Sequence, residues 1–317
     1  MYCLDAMTGR MVWKYSYPCA PGQHPGPRAT PTVDGSVVYT LSREGHLFCF
    51  SADKGKVRWQ RNIVQDFNVR PPTWGFAGSP VVEGELLILN AGVSGLALNK
   101  RTGERAWVSK PGIGGYATPV IYNHKGKRQV AIFGQKAIYG VEVDTGKEAW
   151  SYPWITSHDA NAADPLVHEN RVFISSNYGS GCALLDISGR KPKLIWKNNN
   201  MDSHFSSFIL IDGYIYGNDG FAGSSRSVFR CLDIETGQEM WGKGLGFGSL
   251  IAADGKLILL NEKGSLFIVR ATPSSYQEIS SAKAVLSRTC WTPPVLCDGM
   301  IYCRNHRGDL VCIDVGK

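Results

Sequence analysis

Two short stretches carry the residue types that chemistry needs. Ser157-His158-Asp159-Ala-Asn161-Ala-Ala-Asp164 and Asp202-Ser203-His204-Phe205-Ser206-Ser207 each set a histidine close to carboxylates. Histidine titrates near neutral pH and an aspartate can orient it, so His158 and His204, with Asp159 or Asp202, have the makings of a general base or a metal site. No independent motif supports either use. There is no H-E-x-x-H to put two histidines on one helix face, and no G-x-S-x-G to raise a serine nucleophile. Hydrogen-bonded loop histidines account for the same residues, so no catalytic residue and no metal ligand is assigned.

Other chemistry is excluded by context. Gly112-Ile-Gly114-Gly115 and Gly242-Lys-Gly244-Leu-Gly246-Phe-Gly248 lead from one strand to another, whereas a phosphate cradle needs a helix amino end after the loop. The nine cysteines include no C-x-x-C and no adjacent pair, which removes zinc-ribbon and thioredoxin-type patterns. Cys3, Cys49, Cys231 and Cys312 instead recur at one place in a repeat and read as small packing residues. The formal charge is +7, but the basic residues are scattered over hairpin tips such as Gly9-Arg10 and Gly146-Lys147, so no nucleic-acid partner is expected. No apolar run approaches the roughly 18 residues of a membrane span, and Met1-Tyr-Cys-Leu-Asp5 already lies inside a repeat unit, so no signal peptide is read in this chain.

The elements that must position these residues are set by that repeat. An Asp-x-x-Thr-Gly type turn precedes Trp13, Trp59, Trp107, Trp150, Trp196 and Trp241, at successive intervals of 46, 48, 43, 46 and 45 residues. Before each turn come an apolar strand ending in Asp-Gly or Glu-Gly, as in Pro31-Thr-Val-Asp34-Gly35 and Ile251-Ala-Ala-Asp254-Gly255, then an alternating strand, then a third such as Leu47-Phe-Cys-Phe50. Four strands and three turns in about 46 residues make one propeller blade. The predicted fold class is all-β, a single β-propeller domain over residues 1–317, because a blade buries its two faces only against neighbours. Six blades are complete in sequence. The seventh unit, Leu266 to Glu278, lacks the tryptophan, and Tyr276 or its neighbours are expected to replace that contact. The termini read as halves of one composite blade, with Arg10 to Lys14 completing the sheet of Val295 to Val315; the alternative expectation is a truncated eight-bladed ring.

In a propeller, the segments entering each first strand approach the central axis. They contain Arg28, Trp74, Tyr116, His158, Asp159, His204, Arg288 and Trp291, the candidate binding residues of a pore mouth with aromatic walls and a few polar groups.

The repeated Asp-x-x-Thr-Gly-x-x-x-Trp resembles the pyrroloquinoline-quinone (PQQ) like repeat family, in which the tryptophan docks between blades. That resemblance covers nearly the whole chain. It implies an eight-bladed, exported, periplasmic class of protein that includes quinoprotein dehydrogenases, the lipoprotein subunit of the outer-membrane β-barrel assembly machinery, and other exported propellers. Gly26-Pro-Arg-Ala-Thr-Pro31 and Cys290-Trp-Thr-Pro-Pro294 look most like the last group. A quinoprotein dehydrogenase would show an adjacent cysteine pair and a carboxylate set for calcium, and neither is found here. The resemblance therefore implies a monomeric, non-catalytic scaffold that binds a protein or peptide in envelope or outer-membrane protein biogenesis, with no cofactor. The alternative is an enzyme or small-ligand-binding protein using the pore mouth.

Overall fold

The computed structural model describes residues 1–20, 22, 24 and 26–316. The chain falls into two compact units, Met1–Ile155 and Thr156–Lys317. The first holds a two-stranded sheet (Tyr2–Leu4, Met11–Lys14) and three four-stranded antiparallel blades: blade 1 at 32–62, blade 2 at 81–108 and blade 3 at 120–153. The second holds blade 4 at 166–198, blade 5 at 209–244, blade 6 at 248–282, and a three-stranded sheet at 295–314. One short helix, Ile63–Phe67, follows blade 1. Asn62 caps it by accepting from the N–H groups of Val64 and Gln65, and Asp66 reaches back to the Asn62 N–H at 3.0 Å. This insertion falls in the longest of the tryptophan intervals.

Burial explains the strand sequences. The middle strands of a blade are covered on both faces, so they read as near-continuous apolar runs: Lys127–Phe133 is buried at its last five positions and His46–Ser51 at all but its first. Fourth strands lie outermost and are anchored by one residue. In Met11–Lys14 and Glu239–Gly244 the tryptophan alone is buried.

The turn that leads to each tryptophan is closed by its own side chains. Asp5 Oδ1 accepts from the N–H and hydroxyl of Thr8, and Asp233 does the same for Thr236. The glycine that follows takes φ near +68° at Gly9, Gly103 and Gly237, a region where a side chain is strained. It has a second task. The indole of the preceding blade's tryptophan lies on the glycine: Trp13 over Gly55, Trp59 over Gly103, Trp107 over Gly146 and Trp196 over Gly237, so close that an added Cβ would sit 2.5–2.7 Å from the ring. Each indole N–H then donates to a carbonyl of that next blade, Trp13 to Ala52, Trp59 to Lys100, Trp107 to Val143, Trp196 to Ile234 and Trp241 to Thr272, at 2.7–3.0 Å. Trp150 differs and donates to the Tyr122 hydroxyl in its own blade at 2.9 Å. Removing such a buried indole costs about 3–5 kcal/mol.

The residue opposite the tryptophan is small in most blades. Cys3, Cys49, Ala97, Gly140 and Cys231 pair with Trp13, Trp59, Trp107, Trp150 and Trp241. A small third-strand residue lets an aromatic of the second strand reach over it, with Tyr39 5.9 Å from Trp59 and Tyr216 6.0 Å from Trp241 between ring centroids. Cys49 and Cys231 are buried in this place, Cys3 is half-buried, and Cys312, opposite Tyr302, is exposed.

One expectation is corrected. Tyr276 does not stand in for an outgoing tryptophan: it receives the incoming Trp241 edge to face at 5.9 Å, and the strand after it, Glu278–Ala282, is exposed throughout. Met11–Lys14 forms a hairpin with Tyr2–Leu4 across the Asp5 to Gly9 turn, and Leu310–Asp314 pairs with Met300–Arg304.

Candidate functional site

In the first unit three of the eight candidate residues come together. Trp74, 39% exposed, donates its backbone N–H to the hydroxyl of the buried Tyr116 at 3.3 Å. Arg28 is half-buried near Tyr116. Burial pulls its guanidinium below the usual range and the nearby Arg43 adds to this, with Tyr116 acting in the opposite sense. Arg28 Nη1 and Arg43 Nε are both buried without a hydrogen-bond partner among the described residues.

The second unit assembles a longer constellation from five loops. His158 stands edge-on to Tyr178 at 4.6 Å, and Tyr178 to His204 at 5.5 Å. His204 packs on Phe205 at 4.6 Å, Phe205 on Trp291 at 5.6 Å, and Trp291 perpendicular to His306 at 4.5 Å. Phe247, fully buried, supports Phe205 from beneath at 4.9 Å. The result is an arc of six rings from His158 to His306, with Tyr178 44% exposed.

Asp202, Glu262 and Arg288 are engaged in building this arc. Asp202 accepts from the N–H groups of Gly179 and Gly181 at 3.0 and 2.9 Å, which holds the turn on which Tyr178 adopts φ +64°. Glu262, 3% exposed, accepts from Gly223 N–H at 2.7 Å and faces Arg288 Nη2 at 3.4 Å and Trp291 Nε1 at 3.5 Å. Arg288 is thereby a tether to a buried carboxylate. The Tyr178 hydroxyl lies 3.1 Å from His204 Nε2. Burial lowers the His204 pKa to about 4, against the pull of Asp202, so the ring is neutral at pH 7. Asp159 sits at φ +53° on the turn after Thr156, its N–H on the Thr156 carbonyl at 3.3 Å.

Residues 1–243 match the family described as outer membrane protein assembly factor BamB. The chain belongs to that family. Among solved structures it is similar to BamB from Moraxella catarrhalis, with a TM-score of 0.72 at 16% identity over 96% of this chain and 88% of that one. It is also similar to the quinohemoprotein alcohol dehydrogenase from Comamonas testosteroni, with a TM-score of 0.67 at 14% identity over 95% of this chain and 66% of that one. These likenesses show the fold, an all-β propeller of seven blade equivalents. Among curated proteins it is similar to the tetrathionate hydrolase of Acidithiobacillus ferrooxidans, 24% identical over 239 residues, 72% of this chain and 41% of that protein. It is likewise similar to the putative dehydrogenase XoxF of Paracoccus denitrificans, 30% identical over 165 residues, 47% of this chain and 26% of that one. The chain spans less than half the length of these curated relatives.

In this member of the BamB family, three residues of the arc escaped the sequence reading: Tyr178, His306 and the underlying Glu262. A periodic signal for the supporting loops was present. Asparagine recurs at or just beyond the end of the second strand, and Asn90, Asn218, Asn261 and Asn305 each donate a side-chain amide to a carbonyl of a segment between strands: Ala117, Gly246, Leu245 and Ser287.

Proposed function

We propose that this chain is a non-catalytic scaffold that binds a protein or peptide partner through the aromatic arc of its second unit, in an exported compartment and in outer-membrane protein biogenesis. The observation that carries the reading is the run of packed rings above carboxylates that are already engaged. Asp202 and Glu262 accept from N–H donors and His204 is neutral, which leaves ring faces and edges as the binding chemistry. Exposed and half-buried aromatic rings held on fixed loops are suited to apolar side chains of an extended peptide. Family membership supports the setting.

The arc does not fit a calcium and quinone centre. A hard cation needs several free carboxylate or carbonyl oxygens, and the two carboxylates built into the arc are turned onto backbone N–H groups and Arg288. One observation favours a small-ligand reading, the contact between the Tyr178 hydroxyl and the neutral His204, and the same experiment separates the two. A fluorescent decapeptide alternating aromatic and polar residues is expected to bind the full chain, with Trp291→Ala or Tyr178→Ala weakening it about tenfold or more and Leu194→Ala, an exposed site on blade 4, leaving it unchanged. If PQQ with calcium raises the melting temperature and produces dye-linked alcohol oxidation while the peptide does not bind, the scaffold reading fails.

A further inference from the structure

In the first unit the turn between Val37–Leu41 and His46–Ser51 is Ser42-Arg43-Glu44-Gly45-His46. Ser42 ties it from within. Its N–H donates to the His46 carbonyl at 2.9 Å, and its Oγ accepts from the N–H groups of His46 at 2.9 Å and Glu44 at 3.3 Å. Gly45 takes φ +90°, and its N–H meets the Ser42 carbonyl at 3.1 Å. Glu44 and His46 leave this rigid turn half-buried.

A second segment is laid beside the turn by stacked rings. Tyr15 packs on Phe48 and Phe50 at 5.4 and 5.0 Å, and Tyr17 on Phe48 and His46 at 4.7 and 5.6 Å. The Ala20 N–H donates to Glu44 Oε2 at 3.1 Å and Arg43 Nη1 donates to the Ala20 carbonyl at 3.2 Å. Between these fastenings stands Cys19. Its sulfur, a carboxylate oxygen of Glu44 and a ring nitrogen of His46 all lie within 4.8 Å of one another.

We propose that Cys19, Glu44 and His46 form a site for a zinc-class divalent metal. One thiolate, one imidazole and one carboxylate suit a borderline-soft, tetrahedral ion and disfavour calcium and magnesium. Bond lengths of about 2.0–2.3 Å set tetrahedral ligand atoms about 3.3–3.8 Å apart, a contraction that rotamer adjustment of an exposed Cys19 supplies. Three protein ligands leave the fourth position to water. Cys19 also lines a cavity of about 550 Å³ together with Tyr17, Ser42 and Arg43, so solvent reaches it. Ser42 Oγ lies 3.3 Å from His46 Nδ1, the outer contact that orients a ligand ring. On binding, the metal replaces the thiol proton, which passes to solvent, and no other bond changes. The site is independent of the peptide-binding reading.

Cobalt(II) titrated into the full chain tests it. The expected result is one equivalent bound, with tetrahedral d–d bands and a thiolate-to-cobalt charge-transfer band that zinc displaces. Cys19→Ser abolishes the charge-transfer band, His46→Gln weakens binding about tenfold or more, and Cys297→Ser, an exposed thiol in the other unit, changes neither. Far-UV circular dichroism and the melting temperature of each metal-free variant establish that it is folded. A charge-transfer band that is absent from the wild type, survives Cys19→Ser or disappears with Cys297→Ser overturns the site.

Discussion

A glycine in the Asp-x-x-Thr-Gly turn does two things, and they can be separated by comparing two glycines of one blade. Gly84 has φ +55° with nothing within 4 Å of an added Cβ, whereas Gly103 has φ +68° with the Trp59 ring at 2.7 Å. Gly84→Ala is expected to cost about 1–2 kcal/mol, the strain of a left-handed alanine. Gly103→Ala adds the displacement of Trp59, up to the about 3–5 kcal/mol of losing the indole. Urea unfolding midpoints measure both, and equal midpoints would mean that the ring contact contributes nothing. His204 gives a pH prediction. Its folded pKa, about 4, lies below the ordinary value of 6.5, so the unfolded chain binds more protons between those values. The stability it contributes is complete above about pH 6.5 and is lost as pH falls toward 4. The fall in urea midpoint between pH 7 and 4.5 should be smaller in His204→Gln than in the wild type, and identical slopes would refute the burial of a neutral ring. The histidine itself was visible in the sequence. Its environment was not, because Tyr178 lies 26 positions away and meets it only through the fold.

Between residue and ring stand the loops, and their fixing was half legible. The turn glycines and Asp-Gly hairpins follow from backbone sterics that any sequence shows. The asparagines at the ends of the second strands do not, since their partners are carbonyls of other segments. Asn90, 5% exposed, donates to the Ala117 and Phe133 carbonyls at 2.9 Å each and accepts from the Gly115 N–H at 3.1 Å. Asn90→Ala leaves three backbone groups without that partner and is expected to cost about 2–3 kcal/mol. Hydrogen exchange at the Gly115 amide should accelerate in the variant, and unchanged protection would show that the segment is held by packing alone. The short helix Ile63–Phe67 was missed for a related reason. Five residues with a single buried position, Ile63, carry no periodicity, and the signal lay in the cap, Asn62 followed by Asp66.

For the molecule as a whole, the tryptophan spacing made the blades readable, and the Asp5 to Gly9 turn made the first hairpin readable too, because so short a turn closes with little loop entropy. The cysteines give a test at this scale. All nine are free, with Cys19, Cys297 and Cys312 exposed and Cys49, Cys182, Cys231, Cys290 and Cys303 buried. Burial pushes the thiols of Cys182 and Cys231 up to about 12. A thiol reagent at neutral pH should therefore react fast with the exposed three and reach all nine only after denaturation; fast reaction of the buried five in the native state would contradict the packing. The seat of each indole has a consequence for how such chains change length. Blades 1 and 2 each carry both a plug, the tryptophan, and a socket, the turn glycine, and the donor to carbonyl distance stays at 2.7–3.0 Å at the five indoles that reach the next blade, while the repeat interval ranges from 43 to 48 residues. A duplicated blade arrives with both halves of the joint, so the number of repeats can grow or shrink by whole units without any existing interface being redesigned.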